Sequence, residues 1–218
     1  MDFSIPKYPD MQFGSVYCIG RNYAKHIEEM KSKPTADPVV FLKPRSSLLF
    51  DKGPVIIPPA TNDVHHEVEL VLLIGKTTKN IEPKQALTSL KAVAVGIDIT
   101  ARDIQSEAKK AGLPWTLAKG FNTFAPIGNF TDYSSDLDLE NMDIELRVNN
   151  SLRQSGNTSS MLFNVNRVIS YLSSHFTLHP GDLIFTGTPE GVGPIYPGDK
   201  LSATLNRDLS FLQVDVKK

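Results

Sequence analysis

The segment His65-His66-Glu67-Val68-Glu69-Leu70-Val71-Leu72-Leu73-Ile74 sets two carboxylates at the mouth of an unbroken apolar run. Read as a strand, it puts His65, Glu67 and Glu69 on one face and Val68 and Leu70 on the other, because successive side chains alternate sides. Two carboxylates about 7 Å apart along one strand repel each other unless a cation sits between them. An exposed edge with a solvated acidic face is the plain alternative. A second segment, Ala92-Val93-Ala94-Val95-Gly96-Ile97-Asp98-Ile99, reads as a fully buried strand with one acid inside it. Burying an unpaired carboxylate costs several kcal/mol, so Asp98 needs a cation, a cluster of donors or a turn to cap at the strand's end. Three acids in two apolar strands fit an all-oxygen divalent site made by Glu67, Glu69 and Asp98, with Mg²⁺ or Mn²⁺ as the hard cation. A rival site pairs His65 and Glu67 with His175 or His179 around iron.

Outward from these strands, Val16-Tyr17-Cys18-Ile19 and Val39-Val40-Phe41-Leu42 are short apolar runs bounded by turn residues. Ile144, Leu146 and Val148 alternate with Glu145 and Arg147, and Asn149-Asn150 predicts a hairpin turn. Leu183–Thr186 and Leu201–Leu205 complete the later strands. Met161, Val165, Val168, Ile169, Leu172 and Phe176 form a helical stripe. A second helix is expected from Thr100, with Thr100 and Asp103 as a capping box, to Gly112 before Pro114. A short third one is expected after Asn22, its N-cap, to about Met30. Clustered strands with inserted helices predict an α+β, mainly β, fold.

The chain has 218 residues, with 23 basic against 24 acidic side chains, for a net charge of -1. That balance supplies no basic field for nucleic acid or for an anionic membrane surface. Leu70–Ile74 falls far short of the roughly 20 apolar residues a membrane span needs. The N-terminus lacks the basic and apolar regions of a signal peptide, which points to the cytoplasm. The lone Cys18 sits in an apolar run and reads as buried rather than nucleophilic. No linker divides the sequence, so residues 1–218 read as a single domain. No phosphate-binding Gly-Lys-Ser/Thr ending follows the Gly-rich turn at 187–193, and no organic cofactor is expected.

Six segments in order resemble the fumarylacetoacetate hydrolase family, in its short acylpyruvate hydrolase and oxaloacetate decarboxylase branch. They are Gly20-Arg21-Asn22-Tyr23-Ala24-Lys25-His26, Phe41-Leu42-Lys43-Pro44, His65–Leu70, Asp98–Gln105, Trp115-Thr116-Leu117-Ala118-Lys119 and Thr186–Pro194. The resemblance implies a mixed β-roll of stacked sheets, a homodimer, and a lid carried by an N-terminal extension, residues 1–50. It implies that Glu67, Glu69 and Asp98 bind Mg²⁺ or Mn²⁺, and that His26 and Glu29 form a lid dyad. Three residues apart, those two share one helical face, which by itself is an ordinary solvated pair. Lys119, Arg102 and Gln105 would meet substrate oxygens or a developing oxyanion, and Arg21, Tyr23 and Thr188 would bind substrate. The implied substrate is a small oxo acid. The expected reaction is hydrolysis of a 3-acylpyruvate, with His26 activating water. Oxaloacetate decarboxylation, tautomerisation or isomerisation of a related oxo-dicarboxylate is the alternative. A silent, metal-stabilised scaffold is the reading of another class.

Overall fold

The computed structural model describes residues 4–50 and 53–218. Val68–Ile74 pairs antiparallel with Leu90–Ile97, Leu70 facing Val95 and Leu72 facing Val93. These two strands lie inside a six-stranded sheet ordered Thr131–Asp132, Leu90–Ile97, Val68–Ile74, Leu183–Phe185, Val16–Gly20, Val39–Lys43. Every residue of Val68–Ile74 is buried. Leu70, Leu72 and Ile74 join one apolar cluster, with Val93, Val95 and Ile97; Val71 and Leu73 join the other, with Cys18 and Phe185. Neither face of the sheet is wet there, which is why the sequence is apolar without alternation.

The first cluster is closed by a five-stranded sheet ordered Ser151–Asn157, Asp143–Val148, Lys200–Leu205, Ser210–Lys217, Val55–Ile56. Its alternation is the predicted one: Ile144, Leu146 and Val148 point inward, while Arg147 is exposed. Asn149 and Asn150 take φ of 51° and 66°, the left-handed pair that a tight hairpin requires. A helix, Val165–His175, lays Val168, Ile169 and Leu172 on the same cluster. The fold is mainly β, with stacked sheets, as expected.

Four local expectations are corrected. The 65–74 strand breaks at Glu67: Val64–His66 pairs with Thr100–Ala101 and Gly193–Pro194 in a separate small sheet. Glu67 therefore stands at the junction of two sheets. The capping box at Thr100 does not form, because Thr100 is itself in that small sheet, and the helix α2 starts only at Arg102 (Arg102–Ala111). Asp103 instead accepts from Thr61 Oγ1 (2.5 Å) and the Asn62 N–H (2.9 Å), while Gly112 ends α2 at φ 67° as predicted. Asn22 caps nothing; the short lid helix, Ala24–Glu29, has Tyr23 at its N-cap. The Val165–His175 helix also starts later than its stripe, capped by Asn164, whose Oδ1 accepts from the Arg167 N–H at 3.0 Å.

Candidate active site

Glu67, Glu69 and Asp98 converge because the Asp98 N–H bonds to the Glu67 carbonyl (2.8 Å), joining the ends of the two central strands. The three side chains are buried, and one oxygen of each lies within 4.8 Å of the others. Among the described residues no histidine belongs to this cluster. His65 Nε2 is 2.9 Å from Asp63, and His175 sits by the Tyr171 carbonyl, so the iron site is not formed.

Three buried cations face the three acids. Lys119 Nζ donates to Glu67 Oε2 (2.9 Å) and Asp98 Oδ2 (2.6 Å), and Arg102 Nη2 donates to Glu67 Oε1 (2.6 Å). Lys43 Nζ lies 2.7 Å from Asp98 Oδ1. Burial opposes the charge on Glu67, but Lys119 and Arg102 overcome it and hold the carboxyl well below its ordinary range. Glu69 goes the other way: burial, then repulsion from Asp98 and Glu67, raise it well above that range. Its support is one N–H, from Gly187 at 2.7 Å.

A divalent cation fits this donor set. The three Lys43 N–H groups are taken by the carbonyls of Ile99 (3.0 Å), Lys119 (2.6 Å) and Phe124 (2.8 Å). Asp98 Oδ1 is thereby left buried with an ion contact and no hydrogen bond. An orphaned carboxylate oxygen beside two further buried carboxylates is what an oxygen-seeking cation satisfies. Glu69→Gln should therefore raise the melting temperature of the metal-free protein by relieving repulsion, and should abolish the further rise on adding Mn²⁺. Thermal melts with and without Mn²⁺ check both arms; a Mn²⁺-dependent rise that survives in the variant contradicts the assignment.

The small helix Ala24–Glu29, α1, covers this centre. His26 Nδ1 is 3.2 Å from Glu29 Oε2, so the carboxylate accepts and the ring's Nε2 is left free to act as a base. Glu29 Oε1 also accepts from the Gly191 N–H (3.1 Å), and Lys25 pairs with Glu190 (3.3 Å). A helix of six residues has little stability alone, and these contacts latch it to the 186–194 loop. Beneath it lies a cavity of about 30 Å³, room for a water or two, lined by His26 and by the three acids.

Of the expected site residues, His26, Glu67, Glu69, Asp98, Arg102, Gln105, Lys119, Thr188 and Arg21 line this cavity. Glu29 stands behind His26. Tyr23 does not line the cavity; it is buried with its hydroxyl unpartnered. Cys18 is buried, and its thiol is pushed well up by burial and by Asp98, as befits an inert residue. Several residues escaped the sequence reading. Lys43 is one, the last residue of its strand before Pro44. Asn22 is another: Nδ2 donates to the carbonyls of Phe163 (2.9 Å) and Thr186 (2.8 Å), and Oδ1 accepts from the Phe163 N–H (2.7 Å). Gly187 packs so close that a Cβ there would sit 2.7 Å from Asn22 Cβ, at a φ of +101° that also demands glycine. Gln154 accepts from the Val68 N–H (3.0 Å) and donates to Thr188 Oγ1 (2.8 Å), bracing both walls. Lys109 and Trp115 also line the cavity.

Stacked sheets surround a buried acidic triad that could hold a metal ion, on a mainly β frame. The chain belongs to the fumarylacetoacetate hydrolase family: residues 15–217 match the family described as fumarylacetoacetate (FAA) hydrolase C-terminal. It is 43% identical over 197 residues to the mitochondrial oxaloacetate tautomerase of Bos taurus, covering 90% of this chain and 89% of the relative. It is 42% identical to the mitochondrial oxaloacetate decarboxylase of Dictyostelium discoideum, covering 92% and 93%. Among solved structures, the fumarylpyruvate hydrolase of Pseudomonas aeruginosa, in complex with Mn²⁺ and pyruvate, superposes with a TM-score of 0.89 at 36% identity, covering 95% and 91%. No helix among the described residues is long and apolar enough to cross a membrane.

Proposed function

We propose that the protein is a divalent-metal-dependent enzyme of 2-oxo acids that acts on oxaloacetate, interconverting its enol and keto forms and releasing CO₂ from it. The observation that carries this reading is the buried triad of Glu67, Glu69 and Asp98 with Lys119 bridging two of its members. The names of relatives more than 40% identical support it. The triad would hold Mg²⁺ or Mn²⁺, which when bound supplies Lewis acidity toward the oxygens of a 2-oxo acid.

The chain's own groups do the rest. Lys119 spends two of its three N–H groups on Glu67 and Asp98, leaving one for negative charge developing on the C2 oxygen. Arg102 Nε is buried without a partner and can donate to the substrate carboxylate, with Gln105 and the Thr188 hydroxyl beside it. His26 Nε2 takes the C3 proton of the keto form, or returns it to C3 in the opposite direction, while Glu29 fixes the ring. Closure of α1 excludes water. In decarboxylation the C3–C4 bond breaks and its electron pair moves toward the C2 oxygen, a step that needs no base.

The His26–Glu29 pair favours a second reading, hydrolysis of a 3-acylpyruvate. There His26 Nε2 would take a proton from water attacking the distal carbonyl, and the C–C bond would break to give a carboxylic acid and the enol of pyruvate. The test is kcat/KM for oxaloacetate ketonisation, oxaloacetate decarboxylation, and hydrolysis of acetylpyruvate and fumarylpyruvate, measured in parallel with Mg²⁺. Oxaloacetate should lead. Faster acylpyruvate cleavage would make hydrolysis the main activity, and no turnover of any of them would leave a metal-stabilised scaffold. A homodimer belongs to the same reading, and light scattering of the purified protein tests it.

A further inference from the structure

Lys119 and Arg102 are engaged with the acids of the cavity, yet two more cations line it, Lys109 and Arg21. Helix α2 presents Arg102, Gln105 and Lys109 at successive turns, all lining the cavity. Arg102 is engaged at Glu67, and Lys109 lies about 10 Å farther along the helix axis. Its neighbour Lys110 is an ordinary surface lysine, exposed and paired with Glu107 at 2.7 Å. Lys109 differs: it is half-buried, its side chain makes no hydrogen bond or ion pair among the described residues, and its ammonium stands 5.4 Å from the Trp115 ring centroid. Trp115 is itself fixed edge-on against Phe41, at 5.5 Å. Burial, followed by repulsion from Arg102, pushes the Lys109 ammonium down to about 8, and Arg21 adds to that repulsion.

Arg21 lines the same cavity and is equally unspent. It holds a φ of 60°, a strained value for a residue with a side chain, and its Nε is buried with no hydrogen-bond partner. Its contact with the rest of the chain is a long bond from Nη1 to the Lys33 carbonyl, 3.4 Å. Two cations without a carboxylate, at the far end of a pocket whose near end accepts a 2-oxo acid, lack a second anion. An anion placed between them would relieve their mutual repulsion and satisfy both.

We propose that Lys109, seated on Trp115 and acting with Arg21, binds the distal carboxylate of a dicarboxylic 2-oxo acid and sets the preference for diacids over monoacids. This rests on the oxo-acid reading of the near end of the site. The test uses two ligands of equal length that differ in the distal group: 2-oxoglutarate and 2-oxopentanoate. Their dissociation constants are measured by calorimetry on the full chain with saturating Mn²⁺. Wild type should bind the diacid more tightly. Lys109→Met should weaken 2-oxoglutarate roughly 10- to 100-fold, the range for a lost charged hydrogen bond, and leave 2-oxopentanoate within about twofold. Lys109→Arg should keep most of the preference, and circular dichroism of each variant reports whether the fold is intact. Equal weakening of both ligands, or an unchanged diacid constant, overturns the subsite. If wild type binds neither ligand while still binding Mn²⁺, the oxo-acid reading fails and takes the subsite with it.

Discussion

Replacing Lys43 by methionine is expected to lower the melting temperature of the metal-free protein by about 10 °C. The substitution keeps the side chain's length, so little volume is lost, but it strips Asp98 Oδ1 of its one cation and takes the donor from the buried carbonyls of Ile99 and Lys119, while the Phe124 carbonyl keeps the Ile99 N–H at 3.0 Å. Breaking a buried ion pair from one side costs about 3–5 kcal/mol, because the remaining charge stays buried. In a chain of about 200 residues each kcal/mol moves the melting temperature by roughly 2–4 °C. Asp98→Asn added to Lys43→Met should recover part of the loss, since the stranded charge is removed. A fall of less than about 2 °C for Lys43→Met would mean that Lys43 does not clamp the centre.

The second large effect belongs to His26. His26→Ala should reduce acylpyruvate hydrolysis roughly 10²–10⁴-fold, the range for a lost general base, and should slow oxaloacetate ketonisation by a similar factor. Decarboxylation should fall much less, since no proton is removed as CO₂ departs. Glu29→Gln should show a milder form of the same asymmetry, because the amide still reaches His26 Nδ1 without the charge. The measurement is kcat/KM for all three reactions at saturating Mg²⁺. Equal losses across them would reduce His26 to a part of the lid latch.

The centre of this fold was legible because it breaks a pattern. Glu67, Glu69 and Asp98 stand out as charges in strands that are otherwise apolar, and burial explains both the run and the anomaly. The strands themselves were legible wherever one face is wet, as at Ile144–Val148. Lys43 went unread for a local reason: placed last in its strand before Pro44, a lysine looks solvated, and only the three-dimensional arrangement shows its ammonium among three carbonyls. Asn22 looked like a helix cap, but its partners lie 141 and 164 positions away, beyond the reach of any local rule. Thr100 and Asp103 had the spacing of a capping box, yet pairing with His65 drew Thr100 into a sheet, and Thr61 offered Asp103 a nearer donor. Glu67 was read as part of a continuous strand, whereas its place at a sheet junction depends on Gly193–Pro194, far along the chain. Lys109 carried no signal, since lysines on exposed helix faces are the rule. Short-range patterns therefore located the acids, and long-range packing supplied the groups that hold them.

If Glu67, Glu69 and Asp98 hold the divalent ion, oxaloacetate chemistry depends on them. The most direct measurement follows oxaloacetate ketonisation by ultraviolet absorbance, for wild type and Glu69→Gln, after exhaustive chelation and again after adding Mg²⁺ or Mn²⁺. Wild type should be inactive when stripped and should recover with either ion, while Glu69→Gln should stay inactive throughout although folded. Full ketonisation by the stripped wild type, or recovery of Glu69→Gln to the wild-type rate, would contradict the account.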